Sequence, residues 1–258
     1  MAWTDPALLY GAAVQVAEGV YRLGNPLVNW YAVVDGGRVT LIDSGLTGDA
    51  SHIVADLAAV GIKPEQVEAV VLTHGHGDHF GGAEEVRTTA GAHVHIHHAD
   101  AALARGKVPL RSALRLPRLV RHTSRESMRV MRFFVGHGIL RPAAVKVVDE
   151  FDDGAVLPVP GAPRVVHAPG HTAGSSALLL EARGVAFTGD ALVTYDCYSG
   201  RRGPRLMARE SNDDNAEAVR SLDVLGACRA RVVLPGHGEP FEGALSEAAA
   251  AAKDAGAA

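Results

Sequence analysis

The run Thr73-His74-Gly75-His76-Gly77-Asp78-His79 limits what this chain can fold into more than any other feature. Three imidazoles and a carboxylate within six residues make a poor core and a poor ordinary loop. Protonated together, the imidazoles repel; buried without partners, they cost free energy. A divalent cation removes the conflict, because the lone pairs then share one strong electrophile. Gly75, Gly77, Gly81 and Gly82 let the backbone turn tightly enough to bring these side chains to one point. Upstream, Val67 to Thr73 is almost entirely apolar and reads as a strand covered on both faces.

The same device recurs three times. Pro169-Gly170-His171-Thr172, Thr188-Gly189-Asp190 and Leu234-Pro235-Gly236-His237-Gly238 each follow an apolar β run. Each delivers one His or Asp into a glycine-containing loop, where a rigid scaffold usually presents functional groups. Five histidines (74, 76, 79, 171, 237) and two aspartates (78, 190) suffice for two metal ions with one carboxylate bridging.

Around these loops the pattern is that of interleaved strands and helices. Strands are expected at Val20–Leu23, Trp30–Val34, Val39–Asp43, Val67–Thr73 and Ala92–His97, then at Val145–Val148, Arg164–His167, Ser176–Glu181, Val185–Thr188 and Arg231–Leu234. Helices are expected at about Asp49–Val60, Ala83–Thr89 and Asp213–Ala227, with an alanine-rich tail, Gly243–Ala258, as a short fraying helix. Two β-rich halves with helices outside imply an α/β fold, a four-layer αββα sandwich of two mixed sheets. No linker is visible, so residues 1–258 are read as one domain.

Composition narrows the function. Hydrophobic residues are 47% and charged residues 21% of the 258, an ordinary globular balance that excludes a disordered or coiled-coil chain. A net charge of -4 is not that of a nucleic-acid-binding polycation. Cys197 and Cys228 cannot build a disulfide framework. The first 21 residues lack Lys and Arg, and no window approaches 18 uncharged apolar residues, so neither a secretion signal nor a membrane span is expected and the expected location is cytoplasmic. One segment stands apart: Arg105 to Arg141 holds ten basic residues and one acidic. Within it, Arg111, Arg115, Arg118, Arg121, Arg125, Arg129 and Arg132 recur at helical spacing, interrupted near Pro117. This basic helical insertion, at about 100–141, is either a solvated helix face or a lid that admits anionic substrates.

The order HxHxDH, then His, then Asp, then His, resembles the metallo-β-lactamase superfamily from about residue 14 to residue 242. The resemblance implies an αββα fold with a dinuclear centre at the edge of the sandwich. It puts His74, His76 and His171 on a first metal, Asp78, His79 and His237 on a second, and Asp190 between them. Asp43, in Leu41-Ile42-Asp43-Ser44-Gly45, matches a carboxylate that orients a ligand imidazole. Nitrogen and oxygen ligands suit zinc, with manganese or iron as alternatives.

Zinc β-lactamases commonly place a cysteine where Asp190 stands, which disfavours true β-lactamase activity. Asp190 resembles the glyoxalase II-like, lactonase and nuclease-type branches. The expected reaction is hydrolysis of a small-molecule ester, lactone or thioester by a bridging hydroxide whose pKa the metals bring to about 7. Only 21 residues follow His237, short of the C-terminal domain that glyoxalase II-like enzymes usually carry, so glutathione thioesters are disfavoured. Asp78 and Tyr195 are the expected catalytic residues; lactonases often set a tyrosine soon after the bridging aspartate, and Tyr198 is a rival for that place. The alternatives are a persulfide dioxygenase-like enzyme with one iron and a phosphodiesterase or nuclease. The expected partner is a small molecule, anionic if the arginines select it, with no membrane and with nucleic acid disfavoured. His93, His95 and His97 share one strand face, and His97 is expected to cap or support rather than ligate. Specificity is expected in loops and insertions, around Gly24–Trp30, Arg105–Arg141 and Leu192–Met207.

Overall fold

The computed structural model describes residues 13–108 and 125–256. Seven strands form the first sheet in chain order: β1 (Val14–Ala17), β2 (Val20–Gly24), β3 (Asn29–Asp35), β4 (Arg38–Ile42), β5 (Val67–Val71), β6 (His93–His97) and β7 (Asp149–Phe151). Neighbours are antiparallel from β1 to β4 and parallel from β4 to β7. The second sheet contains β8 (Arg164–His167), β9 (Ser176–Leu180), β10 (Val185–Gly189), β13 (Val232–Pro235) and β14 (Phe241–Glu242), in the order β14-β13-β10-β9-β8. Its β10–β13 pair is parallel and the others are antiparallel. Both sheets are therefore mixed, as expected.

Side-chain alternation along the strands sorts the core into layers. Ile42, Val71, Leu178, Leu180, Phe187 and Leu234 meet between the sheets, where the Tyr31 and Phe187 rings stand 5.3 Å apart. Their strand neighbours Leu41, Val70 and Leu72 face the opposite way, under the helices α1 (Ala50–Ala59) and, after the short α2 (Gly77–Phe80), α3 (Ala83–Ala90). On the far side, Leu179, Ala186 and Val233 are covered by α6 (Asn215–Gly226) and α7 (Leu245–Ala255). Helix, sheet, sheet, helix is the expected four-layer sandwich. Among the described residues, the remaining α-helices are α4 (Ala101–Ala104) and α5 (Arg125–Gly136). Among the described residues, no helix is long and apolar enough to cross a membrane.

Two expectations are corrected and one is sharpened. Val145–Val148 is not a strand: the Val145 amide donates to Ala104 O, and pairing with β6 begins only at Asp149. The alanine-rich tail forms the expected helix, and it is docked: Leu245, Ala248, Ala249 and Ala252 bury one face of α7 against α6 and its sheet. Finally, 192–207 is not all loop. There β11 (Val193–Asp196) and β12 (Arg201–Arg205) form a separate hairpin in which Arg202 lies 4.9 Å over the Tyr195 ring. The polar run Arg201-Arg202-Gly203-Pro204-Arg205 has none of the apolar alternation that marks a strand in sequence.

The basic insertion is described in part. Arg111, Arg115, Arg118 and Arg121 lie outside the described residues, while Arg129 and Arg132 are exposed on α5. The opposite side of α5 buries Val130 and Phe134 against Leu27, Leu46, Ile139 and Met207.

Candidate metal centre

The C-terminal ends of β5, β8, β10 and β13 open at the same edge of the sandwich. The chain leaves β5 through Leu72 and Thr73 into His74 and His76, and α2 then carries Asp78 and His79. The loop after β8 brings His171, Asp190 follows β10, and His237 follows β13. All seven expected residues converge. Ligand-type atoms lie within 4.8 Å of one another in the groups His74–His76–His171, His74–His79–Asp190 and Asp78–His79–His237. Asp190 faces both triads: its Oδ2 is 3.4 Å from His171 Nε2 and 3.2 Å from His237 Nε2, and its Oδ1 is 3.5 Å from His79 Nε2. Asp78 Oδ2 lies 3.7 Å from His79 Nε2 and 3.6 Å from His237 Nε2. A Cβ at Gly236 would stand 2.4 Å from Asp190 Oδ1, so the backbone can approach this carboxylate only as glycine.

A ring of hydrogen bonds fixes which nitrogen of each imidazole faces inward. Asp43 accepts from Thr73 N at 2.8 Å, from Thr73 Oγ1 at 2.8 Å and from His79 Nδ1 at 2.9 Å. It does so at φ +60°, left-handed backbone that aspartate tolerates better than most residues. Since the Thr73 hydroxyl donates to Asp43, it accepts from His74 Nδ1, 3.1 Å away. His171 Nδ1 donates to Asn212 Oδ1 at 3.0 Å. Asn212 is held in that orientation by its own amide, which donates to Met207 O and Asn215 Oδ1. His237 Nδ1 donates to the Leu27 carbonyl. In these four rings the Nδ1 proton is committed outward, which leaves the Nε2 lone pair turned to the centre. His76 is the exception: its Nδ1 lies 2.9 Å from His171 Nε2.

The donor set fits a metal pair. His74 Nε2, His79 Nε2 and Asp190 Oδ1 are buried without a hydrogen-bond partner, three polar atoms of the kind a cation would satisfy. The charges agree. Burial and then the His79 imidazole hold His74 well below its ordinary value, and burial pushes His171 down to about 4. At His79 burial also opposes protonation, but Asp190, Asp78 and Asp43 prevail and raise it to about 10. Asp190 is held well below the carboxylate range although burial opposes it, by His237 and His79 above all. Three carboxylates thus demand positive charge at one buried point, the demand that divalent ions meet.

Tyr195 is buried on β11 among Leu27, Phe134, Ile139, Cys197 and Met207. The Tyr198 phenol is raised well above its usual range by enclosure first, then by Cys197 and by the Asp78 and Asp190 carboxylates. Its carbonyl accepts from Ser127 Oγ of α5 at 2.9 Å. His97 accepts from Ala99 N at 3.3 Å through Nδ1, the expected capping role. Buried His97 also gathers with the exposed His98 and Asp152, but neutral His97 then carries its proton on Nε2 and has no lone pair to spare. Asn212, the Leu27 carbonyl and Thr73 were not legible as parts of the site. A backbone acceptor leaves no mark in sequence, and Asn212 lies far along the chain from His171.

A model of the metallo-beta-lactamase superfamily matches residues 23–237. The chain belongs to the metallo-β-lactamase superfamily. Within it, the chain is 27% identical over 246 residues to the probable metallo-hydrolase YflN of Bacillus subtilis, covering 90% of this chain and 89% of that one. It is 32% identical over 173 residues to a hydroxyacylglutathione hydrolase of Anaeromyxobacter dehalogenans, spanning 67% of this chain and about half, 49%, of that relative. A solved metallo-beta-lactamase family protein of Thermus thermophilus superposes with a TM-score of 0.65 at 28% identity, over 93% of this chain and 80% of that one. The subclass B3 metallo-beta-lactamase BJP-1 of Bradyrhizobium japonicum, at 17% identity and a TM-score of 0.69, covers 98% of this chain and 95% of its own, and shows the shared fold.

Proposed function

We propose that this superfamily member is a hydrolase that holds two divalent transition-metal ions, zinc foremost, and cleaves an ester, lactone or thioester of a small molecule. The observation that carries the reading is Asp190, set between two triads, with its own Oδ1 and the inward His74 Nε2 and His79 Nε2 buried without a hydrogen-bond partner. His74, His76 and His171 would hold one ion, Asp78, His79 and His237 the other, with Asp190 shared. Bound there, the ions would supply a Lewis acid for the electrophilic oxygen and activation of water. The chain's own part is orientation: Asp43, Thr73, Asn212 and the Leu27 carbonyl keep the Nδ1 protons outward so that the Nε2 lone pairs stay available. Tyr195 is the expected contact for a substrate oxygen, with Tyr198, whose phenol the Asp78 and Asp190 carboxylates help to raise, its rival. The bond class draws support from the hydroxyacylglutathione hydrolase relatives and from an aspartate at position 190.

Two measurements test this. Metal analysis of the purified chain is expected to give close to two ions, and Asp190→Ala is expected to lose at least one together with nearly all turnover on a panel of lactones, aryl esters and thioesters. Unchanged metal content in that variant would refute the shared-carboxylate reading. One iron per chain with oxygen consumption would instead favour the dioxygenase chemistry, and turnover confined to phosphodiesters the nuclease-type chemistry.

A further inference from the structure

Asp100 lies at the end of the 3-10 turn His98–Asp100, between β6 and α4, and is fully buried. Its carboxylate accepts three hydrogen bonds. Oδ2 takes the Gly75 amide at 2.8 Å and the Thr172 hydroxyl at 2.6 Å, and Oδ1 takes the Gly174 amide at 2.8 Å. Gly75 lies between His74 and His76, in the loop leaving the first sheet. Thr172 follows His171, and Gly174 is two residues further, in the loop of the second sheet. One side chain therefore grips the peptide on both sides of the gap spanned by His76 Nδ1 and His171 Nε2.

The grip is close and specific. A Cβ at Gly174 would fall 2.6 Å from Asp100 Cγ, so the loop meets the carboxylate as bare backbone. Ser175 extends the clasp: its Oγ accepts from Thr172 N at 2.9 Å and lies 2.8 Å from Thr172 Oγ1. Burying a carboxylate is costly, and only bonds to several donors offset it. An apolar residue at this place would avoid that cost but could not join two amides and a hydroxyl from different sheets. An asparagine could not either. Wherever its amide nitrogen lies, it faces an N–H that can only donate, Gly174 N in one orientation and Gly75 N in the other.

We propose that Asp100 is a positioning residue for the first metal, a clip that sets the distance between the His74–His76 loop and the His171 loop. The inference rests on the two-metal reading above. It is distinct from ligand orientation, because Asp100 bonds the peptide of the two loops and the Thr172 hydroxyl; it acts through Gly75, Gly174 and Thr172.

The test uses the full chain, stripped of metal and titrated with Zn²⁺ against a chromophoric chelator, with urea unfolding of the metal-free protein measured in parallel. Asp100→Asn is expected to weaken one of the two metal equivalents about ten-fold or more, the scale on which supporting residues act, and to leave the other near wild type. Thr172→Val, which removes one of the three bonds to Asp100 together with the contact to Ser175 Oγ, is expected to weaken the same equivalent by less, and Thr172→Ser to restore it. Wild-type affinity for both equivalents in Asp100→Asn would overturn the clip, even if metal-free stability fell, since a purely structural role moves only the unfolding curve. If Asp100→Asn does not fold, wild-type affinities in Thr172→Val overturn it. A wild-type chain that takes up no metal refutes the underlying reading, and the clip with it.

Discussion

Replacing Asp43 by asparagine tests whether a carboxylate that touches no metal sets the affinity of the centre. The exchange is isosteric, and asparagine tolerates the φ of +60° found there, so backbone strain is unchanged. What changes is the pattern of donors. Asp43 Oδ1 accepts from Thr73 N, and Oδ2 accepts from Thr73 Oγ1 and His79 Nδ1. With the amide nitrogen in the Oδ1 place, it opposes the Thr73 N–H. In the Oδ2 place, it favours a lone pair on His79 Nδ1 and so a proton on Nε2, the atom turned to the centre. Metal binding requires the first arrangement, with its opposed donors, which costs about 1–3 kcal/mol. That corresponds to a loss of roughly 5- to 150-fold in affinity, in line with the 10- to 100-fold typical of such supporting residues. Competition titration with a chelator, on Asp43→Asn beside wild type, measures the loss. Asp43→Ala should lose affinity and also stability, because alanine in left-handed backbone costs about 1–2 kcal/mol more. Wild-type affinity in Asp43→Asn would refute the tautomer argument.

Two further outcomes follow from burial. Asp56 is pushed up to about 6, by burial first, with Gly24 N opposing. A raised carboxyl adds stability that is fully present below its unfolded value and is lost as pH rises through about 6. Asp56→Asn should therefore stabilise the chain by about 1–2 kcal/mol at pH 7.5 and hardly at all near pH 4, as read by urea unfolding at both; equal effects at the two would sink the assignment. Ala249 sits buried on the face of α7 that covers the second sheet, so Ala249→Glu should cost roughly 2–4 kcal/mol in thermal or urea unfolding. A change below about 0.5 kcal/mol would mean that α7 does not hold its place in solution.

The sequence determined by itself what is local. Apolar runs such as Val67–Val71 and Val185–Gly189 can bury both faces only inside a sandwich, and a glycine-flanked His or Asp at each strand end shows where the chemistry gathers. All seven metal-site candidates were legible for that reason, whereas Asp43 was legible only through the resemblance to the superfamily. The tertiary structure decided what depends on partners distant in sequence. Asp100, Asn212 and the Leu27 carbonyl are ordinary in sequence and acquire their roles from the loops that folding sets beside them. The tail helix is an alanine-rich segment that no local rule would hold, since a helix this short gains its stability from the face it buries. Likewise β12 lacks strand periodicity and exists because β11 supplies its hydrogen-bond partners. Ligand identity is written residue by residue, whereas the distance between ligands belongs to the packing of two sheets.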